Sequence, residues 1–492
     1  MSTESSHIVH KLIVEVETNS KEKGYALKDD AAGFVSGSLS PALEELFEEL
    51  EKKLNGKVLT LDRLSVDISA KTSDLTHGDI HRLISAAIEE EIKERISVVP
   101  ESITENVQKT AHKHELRSEQ GPDSHEQLIS VTKRQLQSVF HFLKTGTRPW
   151  WLPDNASLSN LMKTSSLLEL ARTDLETLIQ ELQYNNSETF LKRMLLQLPE
   201  SVLIEWFTRA FHFPAELPET IQKVTISIPN GELKKRWWTV LLNAFQEYRR
   251  KGSLSVDKIE QLIGLSAYRQ ESDPETIRAF VTSVTGQEIS LSRERILQVI
   301  QENDEKQRSA PTQENDETAG KRDKTGTMEL YTPVENAGLI LLHPFLNPFL
   351  TEVGLLKDNQ LSDPELTAHV LHFLATGNEN AWEHELQFEK FLCGIPPDEP
   401  IQQERLISDE IKEEAGKLLA AVLEHWKTLK SDDPDLLRFE FLQREAKIII
   451  EEYQGTRLVF ERKAQDILLE SLPWNLGIVK IDWRKDLLFV EW

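Results

Sequence analysis

Apolar and polar positions follow two rhythms along this chain, and the places where one gives way to the other divide it. Ile8, His10, Leu12, Val14 and Val16 interleave with Val9, Lys11, Ile13, Glu15 and Glu17 at period two, which predicts a strand near the start. Leu39, Leu43, Leu46, Phe47, Leu50 and Leu54 then recur at helical spacing with glutamates between them, and Ser40-Pro41 suits a helix start. Leu64, Val66 and Ile68 restore the alternation in a second strand, and residues 80–96 read as helix again. The opening therefore predicts a small N-terminal α/β domain over residues 1–107.

Between 108 and 127 apolar residues nearly vanish, and Gly121-Pro122-Asp123 marks a flexible linker. Residues 128–300 return to helical spacing. Leu167, Leu168, Leu170, Leu175 and Leu178 suit one helix, and Val202, Leu203, Trp206, Phe207 and Ala210 suit another. Pro199, Pro214, Pro218 and Pro229 divide the run into short packed helices. Residues 301–327 hold no aromatic residue and no aliphatic one larger than alanine, so nothing there offsets the entropy of ordering, and a disordered linker is expected.

The last stretch, 328–492, mixes classes. Ile411, Ala415, Leu418, Val422, Trp426 and Leu429 trace a helical stripe. Val479, Ile481 and Trp483, then Leu488, Val490 and Trp492, alternate around Arg484-Lys485-Asp486 as a terminal β-hairpin, and residues 457–460 add a further strand. The expected fold class is α+β and mostly helical: a small N-terminal α/β unit, a helical middle region and a C-terminal α+β domain, joined by flexible linkers.

A short echo crosses these boundaries. His141-Phe142-Leu143-Lys144-Thr145-Gly146 returns as His372-Phe373-Leu374-Ala375-Thr376-Gly377, followed by Trp150-Trp151 in the first copy and Trp382 in the second. It predicts a helix stopped by a glycine in the left-handed conformation, a recurring helix ending and not a repeat array.

Composition narrows the partners. The 57 basic and 82 acidic residues leave a formal charge of -25, which argues against nucleic acid because phosphate binding needs a concentrated basic surface. Lys234-Lys235-Arg236 and Arg249-Arg250-Lys251 read as a solvated helix face beside Trp237 and Trp238. Cys393 is the single cysteine, so no intramolecular disulfide forms and cytoplasmic assembly is expected. No signal peptide is apparent, and the most apolar stretch, 337–350, is interrupted by His343, Pro344, Asn347 and Pro348, so no membrane segment is expected.

Candidate chemistry is sparse. His112, His114 and His125 lie in the first linker without zinc-ligand spacing, and His7 and His10 would point to opposite faces of a strand. Cys393, with His343, His372 or His384 as base, would need an electropositive and accessible setting, whereas Phe391, Leu392 and Ile395 predict apolar burial. Neither a phosphate loop nor a Gly-x-Ser-x-Gly elbow occurs. No catalytic residue, metal or cofactor is expected.

The richest signal is a series of clusters in fixed order: Val334-Glu335-Asn336-Ala337-Gly338-Leu339, Leu342-His343-Pro344-Phe345-Leu346, His372 to Gly377, Leu392-Cys393-Gly394-Ile395-Pro396, Val422-Leu423-Glu424-His425-Trp426, Phe441-Leu442-Gln443-Arg444-Glu445, Leu472-Pro473-Trp474 and Val490-Glu491-Trp492. This series closely resembles the tape measure protein family of contractile injection systems, phage-tail-like particles that drive a rigid tube into a target. The resemblance implies a morphogenetic protein that sits in the growing tube and sets the length at which tube and sheath stop. It implies inner-tube, baseplate-hub and tube-terminator subunits as partners. Its alternative is an assembly chaperone or cargo-loading adaptor of the same particle that is not retained. Asn336, His343, Trp426 and Arg444 are interaction candidates, since a core alone would not demand their polarity or size. Trp474 and Trp492, like Trp483, are expected to fill the C-terminal core, or to anchor an interface where exposed.

A length-setting role meets a difficulty in the pattern itself. A continuous helix of this length would reach about 740 Å at ~1.5 Å per residue, whereas three compact domains would span only about 120 Å. Rearrangement in the tube, several copies, or length control without one rise per residue would each reconcile the two.

Overall fold

The computed structural model describes residues 7–9, 12, 25, 33, 35–54, 57–60, 86–88, 127–185, 187–211, 232–251, 298, 330–451 and 455–492. The chain forms two compact units: residues 1–137 with 150–153, and residues 138–149 with 154–492. Its class is α+β and mostly helical.

In the first unit the expected amphipathic helix forms at Ser40–Leu54, entered through a π-helical turn at Val35–Leu39. Leu39, Leu46 and Leu50 are buried together with Ile88, and Leu43 and Phe47 pack against them. Each such aliphatic side chain contributes about 1.5–3 kcal/mol by leaving water. Strand β1 (Lys57–Thr60) pairs antiparallel with β2 (Gln127–Ser130), Val58 opposite Ile129. The helical period of the middle region does not anticipate β2. The expected strand at 8–16 is not seen in its described part, since residues 7–9 and 12 carry no strand. The second strand at 64–68, most of the helix at 80–96 and both linkers but for Gln127 lie outside the described residues.

The helices of the second unit end where the sequence provides a stop. Leu167 to Leu178, expected as one helix, form two, Thr164–Thr173 and Leu175–Tyr184. Asp174 leaves helical geometry at φ -130° and its carboxylate accepts from the Thr177 N–H at 3.1 Å. The local cap thus interrupts an apolar stripe that periodicity alone would continue. Helices Glu188–Gln197, Glu200–Phe211 and Glu232–Lys251 follow. Val202, Leu203, Trp206, Phe207 and Ala210, read as one helical stripe, are buried, and Trp237 and Trp238 beside the basic run are buried as well.

The C-terminal part is built on a five-stranded sheet. It contains β3 (Leu330–Val334), β6 (Ala446–Glu451), β7 (Gly455–Phe460), β8 (Ile478–Lys480) and β9 (Leu487–Glu491), in the order β3-β6-β7-β9-β8, while β4 (Leu356–Lys357) and β5 (Gln360–Leu361) form a separate short hairpin. The terminal hairpin is present, Val479 opposite Leu488. β9 also inserts beside β7 in parallel, Leu458 opposite Val490. Ala446, Ile448, Leu458, Phe460, Val479, Leu488 and Val490 give the sheet one buried face, against helices His343–Glu352, Pro364–Thr376 and Asp409–His425. Gly338 belongs to the first motif cluster, and a Cβ there would run into the Phe441 carbonyl, so this contact requires glycine.

Candidate functional site

Three motif clusters that are far apart in sequence meet in the second unit. The turn after β3 supplies Glu335 and Asn336, and the last turn of helix 364–376 supplies His372 and Thr376. The segment between the π-helical turn Arg438–Leu442 and β6 supplies Gln443 and Glu445. With Asn378, Asn380, Trp382, Glu385, Gln403 and Ser159 they line a polar cleft of about 430 Å³.

Buried polar contacts shape its floor. Asn336 adopts φ 56°, a left-handed conformation in which asparagine is among the better-tolerated residues. Its amide donates to Glu389 Oε1 at 2.9 Å, and His372 Nδ1 lies 3.2 Å from the same oxygen. Glu385 closes another wall, accepting from Ser159 Oγ at 2.6 Å and from the Trp382 N–H at 2.8 Å. Burial raises the Glu335 carboxyl, the charges of Glu445 and Glu385 add to the rise, and the Asn155 amide and Arg148 oppose it. Three carboxyl groups therefore line the cleft, and burial and the two neighbouring carboxylates both oppose ionisation of Glu335.

Beneath it lies a buried ionic seam. Arg193 donates to both carboxylate oxygens of Glu383, at 2.9 and 3.2 Å, and to the carbonyls of Leu143 and Asp398. Lys390 donates to the same carboxylate at 2.8 Å and to the Pro397 and Glu399 carbonyls. Burial lowers the Lys390 ammonium, against the pull of Glu383. Gln197 and Gln387 bond to the carbonyls of Ile401 and Gly146 across the same seam, and Asn155 faces His384. A large apolar core runs from Val334 to Val490, and these polar groups join the helices of residues 138–211 to the part of the chain that holds it.

The other interaction candidates stand apart from the cleft. Trp426 is buried, donates to the Leu468 carbonyl at 3.2 Å and meets Phe441 edge to face. Arg444 forks onto Asp466 and donates to the Glu461 carbonyl at 2.7 Å. Trp492 stacks on Phe460 at 3.8 Å with Arg444 beside it, and Trp474 meets Phe345 edge to face. His343 bonds the Ile340 carbonyl at 3.1 Å, and burial lowers its pKa. Only Asn336 of the six lines the cleft. Sequence reasoning missed Glu335, Glu385 and Glu445 as a group, because nothing in their spacing of 50 and 60 positions announces that they meet.

Burial raises the Cys393 thiol, which keeps it protonated and unreactive at neutral pH. Among the described residues no group of three or more His, Cys, Asp or Glu is placed to hold a metal ion, and no helix is long and apolar enough to cross a membrane.

These observations define a mostly helical α+β protein in which three of the recognisable clusters converge on one polar cleft. The family model described as contractile injection system tape measure protein matches residues 6–492, and the chain belongs to that family. Its role is that of a tape measure protein of a contractile injection system. No curated protein and no solved structure matches it.

Proposed function

We propose that this chain associates with the nascent inner tube and baseplate and sets tube and sheath length as a folded body, without catalysis. The family match over residues 6–492 supports the length-setting role. The observation that favours a folded body is the ionic seam, which ties Leu143, Arg193 and Gln197 to Glu383, Lys390 and Ile401 inside one compact unit. Pulling the chain straight would expose two cations and a carboxylate that now satisfy one another. Lys251 and Leu330 also belong to this unit, so residues added between them lengthen a connection within it and do not separate its parts.

In this reading the chain occupies the tube or its growing end, contacting tube, baseplate-hub or terminator subunits. The test is assembly without the chain. Tubes of scattered length, restored to one length by adding the chain back, are the expected result. Uniform tubes without it, or its absence from purified particles, would favour the chaperone or adaptor role.

A further inference from the structure

The geometry points to the cleft as a receptor for an arginine side chain presented by a partner subunit of the particle, an inference that rests on the assembly role above. Three features argue for that chemistry. Glu335, Glu385 and Glu445 converge from three elements, and no lysine or arginine is among the lining residues. Arg148 is a cation whose charge reaches Glu335, and the three carboxyl groups of the lining outnumber it.

His372 is the second and independent feature. It lines the cleft, is only 5% exposed, and has its Nδ1 against Glu389 Oε1, which also accepts from the Asn336 amide, while its Nε2 has no hydrogen-bond partner among the described residues. In the tautomer whose Nδ1 donates to Glu389, Nε2 is an acceptor. The side-chain amides of Asn378, Asn380 and Gln403 also line it, each bringing a carbonyl acceptor beside its N–H donors. A guanidinium matches such a wall because it carries five N–H donors and no acceptor.

Trp382 is the third feature, a half-buried indole at the margin against which a planar cation can stack. At about 430 Å³ the cleft lies within the ~300–1,000 Å³ usual for ligand sites, with room for one long side chain and its water.

Calorimetric titration of the full chain with N-acetyl-arginine amide, and with the citrulline amide that keeps its shape without its charge, tests the assignment. Saturable binding of the arginine probe, about tenfold or more tighter than that of citrulline, is expected. Glu445 is exposed, so E445Q should fold normally while weakening the arginine probe several-fold; E335Q should act likewise, with thermal unfolding as the folding control. Equal affinity for citrulline, equal affinity for the lysine amide, absence of saturable binding, or undiminished binding by both variants would overturn it. The titration uses the isolated chain and the functional test uses tube lengths, so each reading fails separately.

Discussion

The two His-Phe-Leu-x-Thr-Gly segments share a backbone and differ in what surrounds it. Both glycines sit at φ 77°, and both glycine N–H groups donate to the phenylalanine carbonyl, at 2.7 Å for Gly146 and 2.8 Å for Gly377. Thr145 and Thr376 each donate to the histidine carbonyl four residues back at 2.9 Å, and each accepts the N–H two residues on. The leucine carbonyl takes an arginine from another element in both cases, Arg193 on Leu143 and Arg438 on Leu374. Around the first copy the arginine belongs to the buried ionic seam. Around the second, the histidine and threonine line the open cleft. The comparison teaches that these six residues encode a helix ending, and that its use as a joint or a site comes from its neighbours.

The contrast can be sharpened by substitution, and the seam should respond most. Glu383→Ala leaves Arg193 and Lys390 buried without their carboxylate, for which about 3–5 kcal/mol of destabilisation is expected in denaturant unfolding. A loss below about 1 kcal/mol would mean that water reaches the seam.

Acid should act next, through two histidines kept neutral by burial. His384 is lowered to about 3 and His369 to about 4, so between those values and the unfolded pKa near 6.5 the unfolded chain binds more protons. Stability therefore rises with pH through that window and is lost on acidification, by a few kcal/mol in all. Asp466, lowered with Arg444 as partner, loses stability in the same direction; Glu335, held above its usual range, works against it. His384→Gln should flatten the slope, and an unchanged pH profile would remove His384 from the account.

Gly146→Ala and Gly377→Ala compare the two endings directly. Both should incur the left-handed strain of about 1–2 kcal/mol. The first should lose about 1–3 kcal/mol more, because its Cβ would press on Glu383 and lie 2.8 Å from Arg193 Nη2, whereas at Gly377 the nearest atom is Arg438 Nη1 at 3.5 Å. Equal losses would show that the seam yields. Thr145→Val and Thr376→Val should have the smallest effects, each about 0.5–1.5 kcal/mol and alike.

What could be read in the sequence was local. The terminal hairpin, the stripe from Ile411 to Trp426 and the glycine stops each depend on residues close in the chain, where periodicity and turn chemistry act. The parallel pairing of β7 with β9 depends on a crossover that no local pattern encodes. Asp174 divides a leucine stripe by a side-chain cap, which competes with periodicity on equal terms. The cleft is the extreme case, since Asn336 could be singled out for its unusual polarity, yet its partners Glu389 and His372 lie 53 and 36 positions away. Trp426 and Arg444 were conspicuous for size and charge, and the structure uses both inside the core.

The central claim, that length is set by a folded body, meets its most direct test in electron microscopy of particles built with residues inserted or deleted between Gln301 and Thr327. Because Lys251 and Leu330 lie in one compact unit, the account predicts uniform tubes of unchanged length. Tube length that tracks the number of added or removed residues, in steps of one tube ring, would contradict it and establish an extended chain as the ruler.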